Sequence, residues 1–190
     1  MENKQIVLIS HCFMNTHSKV TNYNKKPIEN ESKNRCNILS LFFENNIGII
    51  QLPCPEMILY GLNRWGHVKD QFNHIHFLKE CQNMLLPCVD QLEEYFKNGY
   101  DLFGIIGIDR SPSCGIYKTY RGKWKGEISG NPLFVDNKVE GIYLAEERGM
   151  LMEILEAMLL ERKIEAQFFG YSPMEYDEFY TKISNKVKEA

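Results

Sequence analysis

The sequence predicts an α/β fold, a three-layer sandwich in which a mostly parallel sheet carries helices on both faces. Three apolar runs, at residues 6–10, 47–52 and 102–108, are rich in Val, Ile and Leu and do not alternate with polar residues. Continuous runs of this kind are typical of strands that are buried on both faces of a sheet. Helical patterns separate the runs, which favours a parallel sheet. The length of 190 residues predicts a single domain over residues 1–190.

The first half of the chain shows two helical segments. A polar stretch at residues 11–34 is predicted to be a long loop, and residues 36–45 form the first predicted helix. Residues 74–98 repeat apolar side chains at helical spacing. Pro87 lies inside this second helix and is expected to kink or divide it.

The second half of the chain contains an irregular segment, a strand and two further helices. Residues 116–141 hold several glycines and are predicted to form a small hairpin or a lid. Residues 149–162 predict an amphipathic helix, and residues 166–170 predict a fourth strand. Ser172 followed by Pro173 predicts the start of the last helix, with the serine as its cap and the proline in its first turn.

The charge balance excludes several classes of partner. The chain carries 22 Lys and Arg against 25 Asp and Glu, a net charge of −3, so nothing favours binding to nucleic acid or to an anionic membrane surface. The apolar run near the N-terminus is too short for a signal peptide, and no stretch reaches the length of a membrane span. We therefore expect a cytoplasmic protein with reduced thiols, and the oligomeric state stays open.

Three of the six cysteines follow the three predicted strands. Cys12, Cys54 and Cys114 each lie shortly after one of the apolar runs. Ligands of parallel sheets bind beyond the carboxyl ends of the strands, so the three thiols are expected to meet at one rim. Thiolates suit zinc, copper(I) and iron–sulfur clusters, and no C-x-x-C pair occurs, so only the fold can assemble the site. The sequence therefore predicts a soft-metal site with three protein ligands and one open position.

The remaining cysteines are expected to have a different role. Cys36, Cys81 and Cys88 lie within predicted helices, where a free cysteine usually packs as a small apolar side chain. Cys54 and Cys114, by contrast, lie in turns that contain proline, which restricts the backbone and aims the sulfur.

Carboxylates and hydroxyls near these cysteines supply candidates for proton transfer and substrate contact. Glu56, two residues after Cys54, is the first candidate for a general acid or base, and Asp109 is the second. Each also has a structural interpretation, as a helix cap or as a turn former. Ser111 and Ser113 either line the pocket or stabilise their turn.

Arg64 and Trp65 form a further candidate pair. Guanidinium planes and indole rings both stack on planar bases, so the pair could hold a nucleobase. Ordinary packing explains Trp65 equally well.

Three motifs of the chain resemble those of the thiouracil desulfidase family. They are Cys12, the Cys54-Pro55-Glu56 motif and residues 107–115, which read G-I-D-R-S-P-S-C-G. The similarity spans roughly residues 5–117, and S-P-S-C-G is its most specific part. After Cys12 the chain lacks the second cysteine and the Arg-Tyr-Asp-Gly stretch typical of the family, so it resembles a divergent, desulfidase-related branch.

The resemblance implies both a cofactor and an activity. It implies a [4Fe-4S] cluster held by Cys12, Cys54 and Cys114, with the fourth iron free of any protein ligand. It also implies an enzyme of sulfur metabolism that removes sulfur from a small thiocarbonyl compound such as a thiolated nucleobase. At the place of the substrate pocket this chain has Asn15, Ser18 and Lys19.

Two other functions remain open on the residues alone. A zinc hydrolase would use the same three cysteines, with water in the fourth position. A sulfide or metal carrier, or a redox sensor, would use the same thiols without a shaped substrate pocket.

Overall fold

The computed structural model describes residues 4–21, 31–125, 134–135, 138–139 and 141–189. In chain order its strands are β1 (Gln5–Ile9), β2 (Gly48–Gln51), β3 (Asp101–Ile108), β4 (Thr119–Gly122), β5 (Phe134–Val135), β6 (Lys138–Val139), β7 (Ile142–Ala145) and β8 (Phe168–Tyr171). Its α-helices are α1 (His11–Met14), α2 (Glu31–Glu44), α3 (Pro55–Tyr60), α4 (Lys69–Phe72), α5 (Ile75–Lys97), α6 (Met150–Glu161) and α7 (Tyr176–Glu189). Short 3-10 helices cover Thr16–Ser18 and Pro173–Glu175.

The main sheet has the order β2-β1-β3-β8, and every neighbouring pair in it is parallel. The predicted α/β class is therefore confirmed. Successive residues of β1 face opposite sides of the sheet: Ile6 and Leu8 pack with α5 and α6, while Val7 and Ile9 pack with α2 and α7. The apolar runs do not alternate because both faces are covered by helices.

The segment after β3 contains antiparallel strands, in agreement with the hairpin interpretation. β4 pairs with β7, and the two-residue strands β5 and β6 pair with each other. The remainder of the predicted excursion, residues 126–133, 136–137 and 140, lies outside the described residues.

The prediction of a loop over residues 11–34 was wrong at both ends of this segment. The chain forms α1 and a 3-10 turn directly after β1, and α2 begins at Glu31, five residues before the predicted start. Glu31 lies in the first turn of α2, where a carboxylate favours the helix N-terminus, and it pairs with Arg35 one turn later. Because of these polar contacts, α2 begins before the apolar residues from which its start was predicted.

Pro87 does not divide its helix, because α5 is continuous from Ile75 to Lys97. The prediction that Cys36 packs in the core was also wrong, since it is exposed, whereas Cys81 is fully buried. On α2 the buried positions are Arg35, Ile38 and Phe42, and Cys36 is rotated away from that face.

The last helix begins later than predicted. Ser172 makes no side-chain capping hydrogen bond, and residues Pro173–Glu175 form a 3-10 turn before α7. The hydrogen bond at this turn runs instead from the amide of Glu175 to the carbonyl of Ser172, at 3.0 Å.

The strand order reverses its direction at β1. From β1 the chain crosses through α2 to β2 on one side, while β3 lies on the other side of β1. Such a reversal of strand order is where open α/β sheets bind their ligands. Cys12 follows β1 and Cys114 follows β3, so both lie at the end of the sheet where this reversal occurs.

Candidate functional site

The three predicted cysteines are brought together at the rim of the sheet. The ends of β1 and β2 are level, since Ile9 pairs with Gln51, and β3 continues two residues beyond Ile106, which also pairs with Ile9. Cys12 and Cys54 each follow their strand by three residues. The thiol of Cys12 lies within hydrogen-bonding reach of both other thiols. The structure therefore collects side chains that are widely separated in sequence into one group.

Cys54 is fixed by the start of α3. It is the N-cap of this helix, and its sulfur accepts a hydrogen bond from the amide of Met57 at 3.4 Å. Pro55 occupies the first turn, where the lack of an N–H costs nothing. Cys54 is therefore buried, and its sulfur lies at the N-terminus of a short helix.

Cys114 is fixed by its own turn. The hydroxyl of Ser111 accepts hydrogen bonds from the amides of Ser113 at 3.3 Å and of Cys114 at 3.0 Å. The carbonyl of Cys114 accepts from the amide of Ile108 at 2.9 Å, which joins the turn to the end of β3. Ser111 therefore stabilises the turn, one of the two roles that the sequence left open.

The N-terminus of α6 holds the same turn from the other side. The amides of Gly149, Met150 and Leu151 donate to carbonyl oxygens of Gly115, Pro112 and Ser113 at 2.8–2.9 Å. These amides begin a helix and would otherwise lack partners. A Cβ at Gly149 would lie 2.5 Å from the carbonyl carbon of Ser113, so only glycine permits this approach.

Hydrogen bonds between the thiols and burial raise the pKa values of Cys12 and Cys54, so these two thiols hold their protons at neutral pH. Hydrogen bonding to Cys114 raises the pKa of the Cys12 thiol, hydrogen bonding to Cys54 lowers it, and burial together with the charges of Cys114 and Glu56 raises it, to about 12 in all. Hydrogen bonding to Cys12 and burial raise the pKa of Cys54 as well. Metal binding by thiolates must displace such protons, so metal uptake should release protons and strengthen as the pH rises.

This arrangement predicts that the metal-free protein loses stability in alkaline solution. Thiols of the unfolded chain ionise near a pKa of about 8.5, whereas Cys12 stays neutral up to about 12. Its stabilising contribution is complete below the unfolded pKa and is lost as the pH rises through the folded pKa. In urea unfolding between pH 7 and 11, Cys12→Ser should show a shallower decline than the wild type. Equal declines in the two proteins would contradict the prediction.

Glu56 lies buried beside the cysteines in a short chain of polar contacts. The hydroxyl of Ser113 donates to its Oε1 at 2.5 Å and lies 3.5 Å from the sulfur of Cys114. On the other side, Nε of Arg64 lies 3.5 Å from its Oε2. The first candidate acid or base is thus adjacent to the thiols, and Ser113 connects the two.

Arg64 does not serve as a stacking platform. Its side chain is only 3% exposed, and its guanidinium donates to the carbonyls of Gly61 at 2.9 Å and Ser18 at 2.6 Å. Trp65, in contrast, is 70% exposed. Arg64 therefore joins the loop after α3 to the loop after α1 and keeps a positive charge beside Glu56.

The carboxylate of Asp109 binds main-chain amides of the segment that follows β3. Its Oδ1 accepts hydrogen bonds from the amides of Ile116 and Tyr117 at 2.9 Å and of Lys118 at 3.4 Å. It lines a cavity of about 260 Å³ whose lining residues include none of the three thiols. The structure therefore supports the turn-forming interpretation of Asp109.

Asn15, Ser18 and Lys19, which the sequence placed at the predicted substrate pocket, all have hydrogen-bond partners within the protein. The Asn15 side chain accepts from the amide of His17 at 3.1 Å, and the Ser18 hydroxyl donates to the Asn15 carbonyl at 2.7 Å. The Lys19 ammonium donates to Glu31 at 2.6 Å. Asn15 is exposed and Ser18 is buried, so these side chains chiefly shape the loop after α1.

The thiols of Cys12, Cys54 and Cys114 fit a soft metal centre, because thiolates are soft ligands. Within the described ranges, no group of three or more His, Cys, Asp or Glu side chains has the arrangement of a site for a metal ion. The thiol contacts nevertheless place Cys12 against both other cysteines. Cys12, Cys54 and Cys114 would be the protein ligands.

Two contacts of the site region were not predicted from the sequence, although Arg64 itself was a candidate residue. The contact of Arg64 with Ser18 joins segments 46 residues apart. The position of Gly149 directly before an amphipathic helix indicated a helix start, but nothing in the neighbouring sequence shows which segment packs against it.

No helix in the described part of the chain is long and apolar enough to cross a membrane.

The chain is similar to a curated archaeal protein. Over 118 residues the chain is 35% identical to Uncharacterized protein MJ0003 of Methanocaldococcus jannaschii, a match that covers 62% of this chain and 72% of the relative. No family model matches the chain, and no solved structure matches it significantly. At this identity and coverage, the chain belongs to the same protein family as Uncharacterized protein MJ0003.

Proposed function

We propose that the protein is an iron–sulfur desulfidase that hydrolyses a small thiocarbonyl compound, converting C=S and water to C=O and hydrogen sulfide. The observation that carries the proposal is the meeting of three thiols beside the buried carboxylate of Glu56. When bound, a [4Fe-4S] cluster supplies an open, soft iron that attracts the sulfur of the substrate. The overall reaction is a hydrolysis, so it needs neither an oxidant nor a reductant.

Glu56 is assigned to accept the proton of the attacking water. The Ser113 hydroxyl and the Arg64 guanidinium approach its two oxygens from different sides and hold the carboxylate in one orientation. A fixed base beside the reacting carbon contributes typically 10²–10⁴-fold to a rate, by general base catalysis. The same carboxyl group can return the proton to a ring nitrogen of the product.

The proposal is tested by reconstitution without oxygen. The metal-free protein is incubated with iron and sulfide, its iron and acid-labile sulfide are counted, and its visible absorption is recorded. Thio-substituted pyrimidines, with thiouracil among them, are then screened for sulfide release. We expect a brown protein that turns over at least one of them, because three thiolates and an open iron suit this chemistry.

Other results of the same experiment would contradict the proposal. A colourless protein that retains zinc and hydrolyses a substrate would identify a zinc hydrolase. A loaded protein that binds sulfide or changes oxidation state, but turns over no thio-compound, would identify a carrier or a sensor.

Glu56→Gln should lower the rate without removing the cluster. Glutamine keeps the size of the side chain and can still accept from Ser113, but it cannot take a proton from water. We expect kcat to fall by about 10²–10⁴-fold with the iron content unchanged.

Asp109→Asn is the matched control for Glu56→Gln, because Asp109 is also a buried carboxylate close to the turn. An uncharged side chain accepts more weakly from the three amides, so thermal stability should fall while kcat per folded molecule stays near that of the wild type. The reverse pattern, with Asp109→Asn inactive and Glu56→Gln active, would exchange the two assignments.

A further inference from the structure

A buried arginine lies directly beneath the segment that carries Cys12. The side chain of Arg35, on α2, is only 4% exposed. Its guanidinium lies 5.6 Å from the ring centre of Phe13 and 5.4 Å from that of Tyr171. A charged group in such an apolar position needs partners that satisfy its hydrogen bonds.

Those partners are the main-chain carbonyls at the site. Nη1 of Arg35 donates to the carbonyl oxygen of Cys12, and to that of Phe13 at 3.1 Å. Both carbonyls belong to α1, which has only four residues, and the last carbonyls of a helix have no partner within it. A side chain 23 residues further along the chain therefore completes the C-terminal end of the helix that holds Cys12.

The guanidinium is itself fixed from the opposite side. Nη2 of Arg35 donates to the carboxylate of Glu31, which also accepts from Lys19. Burial raises the pKa of Glu31, but Lys19 and Arg35 outweigh it and hold that pKa below the ordinary value. Glu31 is thus charged at neutral pH and restricts the rotation of Arg35.

The three cysteines differ in how they are held. Cys54 and Cys114 are fixed by hydrogen bonds within their own helix start or turn. Cys12, which is half-buried, lies on a single short helical turn whose main-chain carbonyls at Cys12 and Phe13 accept hydrogen bonds from Arg35, while the ring of His11 contacts the side chain of Gln51. We propose that Arg35 is the positioning residue that sets the place of Cys12 in the site. Its effect on cluster retention rests on the proposed function, but its effect on α1 does not.

The first test uses the metal-free protein and amide hydrogen exchange. Arg35→Met removes the donors, and Arg35→Lys keeps the charge but replaces the two separate donor nitrogens, Nη1 toward the carbonyls and Nη2 toward Glu31, with a single one. We expect exchange in the peptide that contains residues 10–18 to be at least about tenfold faster in Arg35→Met, since hydrogen bonds from a charged donor are lost. Arg35→Lys should be intermediate, and the peptide that contains residues 111–116 should exchange as in the wild type.

A surface arginine provides the control. Arg162 bonds Asp90 and Glu93 far along the chain from the cysteines, so Arg162→Met should leave both peptides unchanged. If all peptides of Arg35→Met and Arg35→Lys exchange faster together, Arg35 has only a general structural role and the inference is overturned. Unchanged exchange at residues 10–18 would overturn it equally.

The second test measures the reconstituted protein. Extraction of iron by a chelator should be about tenfold faster from Arg35→Lys than from the wild type or Arg162→Met, because one ligand is less well placed. Equal extraction rates would overturn the effect on retention. If the wild type takes up no iron at all, the proposed function fails, while hydrogen exchange at residues 10–18 still decides whether Arg35 positions Cys12.

Discussion

Replacing Cys114 with alanine is expected to abolish cluster binding and sulfide release together while leaving the fold intact. Cys114 is fully buried, and its backbone is held by the Ser111 hydroxyl and by the amide of Ile108, so its sulfur is not needed to form the turn. Loss of one buried atom costs about 1 kcal/mol in unfolding free energy. Iron content, sulfide release and urea unfolding would be measured on the same sample.

Cys81→Ala is the matched control for that substitution. Cys81 is also fully buried in the core on α5, but no other thiol contributes to the shift of its pKa, unlike Cys12 and Cys54. It should lose a similar amount of stability and keep its iron and its activity. If Cys114→Ala retains full activity, or if both variants lose iron equally, the assignment of Cys114 as a ligand is wrong.

Gly149→Ala is expected to destabilise the protein strongly, although it adds a single heavy atom near the site. The new Cβ would lie 2.5 Å from the carbonyl carbon and 2.6 Å from the oxygen of Ser113, and 2.8 Å from the amide nitrogen of Gly115. These are backbone atoms and cannot move aside as a flexible side chain would. Overpacking of this kind costs about 1–3 kcal/mol. Because the turn that carries Cys114 must shift, iron binding should weaken as well.

Gly66→Ala shows what the same chemical change does without a clash. No heavy atom lies within 4 Å of a Cβ at Gly66, so alanine there only restricts the unfolded chain. That effect is stabilising by about 0.4–1 kcal/mol where the backbone allows it. The comparison requires thermal unfolding and iron content for both variants. A Gly149→Ala protein as stable as Gly66→Ala would show that α6 does not hold the turn in this way.

Much of the fold follows from short-range patterns in the chain. The apolar runs became β1, β2 and β3, and residues 166–170 contain most of β8, because strands covered on both faces require continuous apolar residues. The rim position of Cys12, Cys54 and Cys114 follows from parallel strands, whose carboxyl ends lie at the same edge. The boundaries of α2 were less predictable, since its first turn depends on contacts of Glu31 with Lys19 and Arg35.

The roles of individual polar side chains could not be read in the same way. Asp109 follows a strand as a catalytic residue often does, yet its carboxylate binds three amides of the next segment. Lys19 pairs with Glu31 rather than facing the site freely. In each case the deciding partner is seven or more positions away in the chain, and no spacing rule of a helix or strand connects the two.

By itself, the sequence determined the class of fold and the three cysteines that belong at one edge of the sheet, because apolar periodicity and strand ends are local properties. Only the tertiary structure decided how those cysteines are held. Arg35 reaches the carbonyls of Cys12 and Phe13, and Gly149 brings α6 against the turn of Cys114. The physical reason is that a buried hydrogen bond or a close backbone approach depends on which distant segments meet, and that is settled when the layers pack.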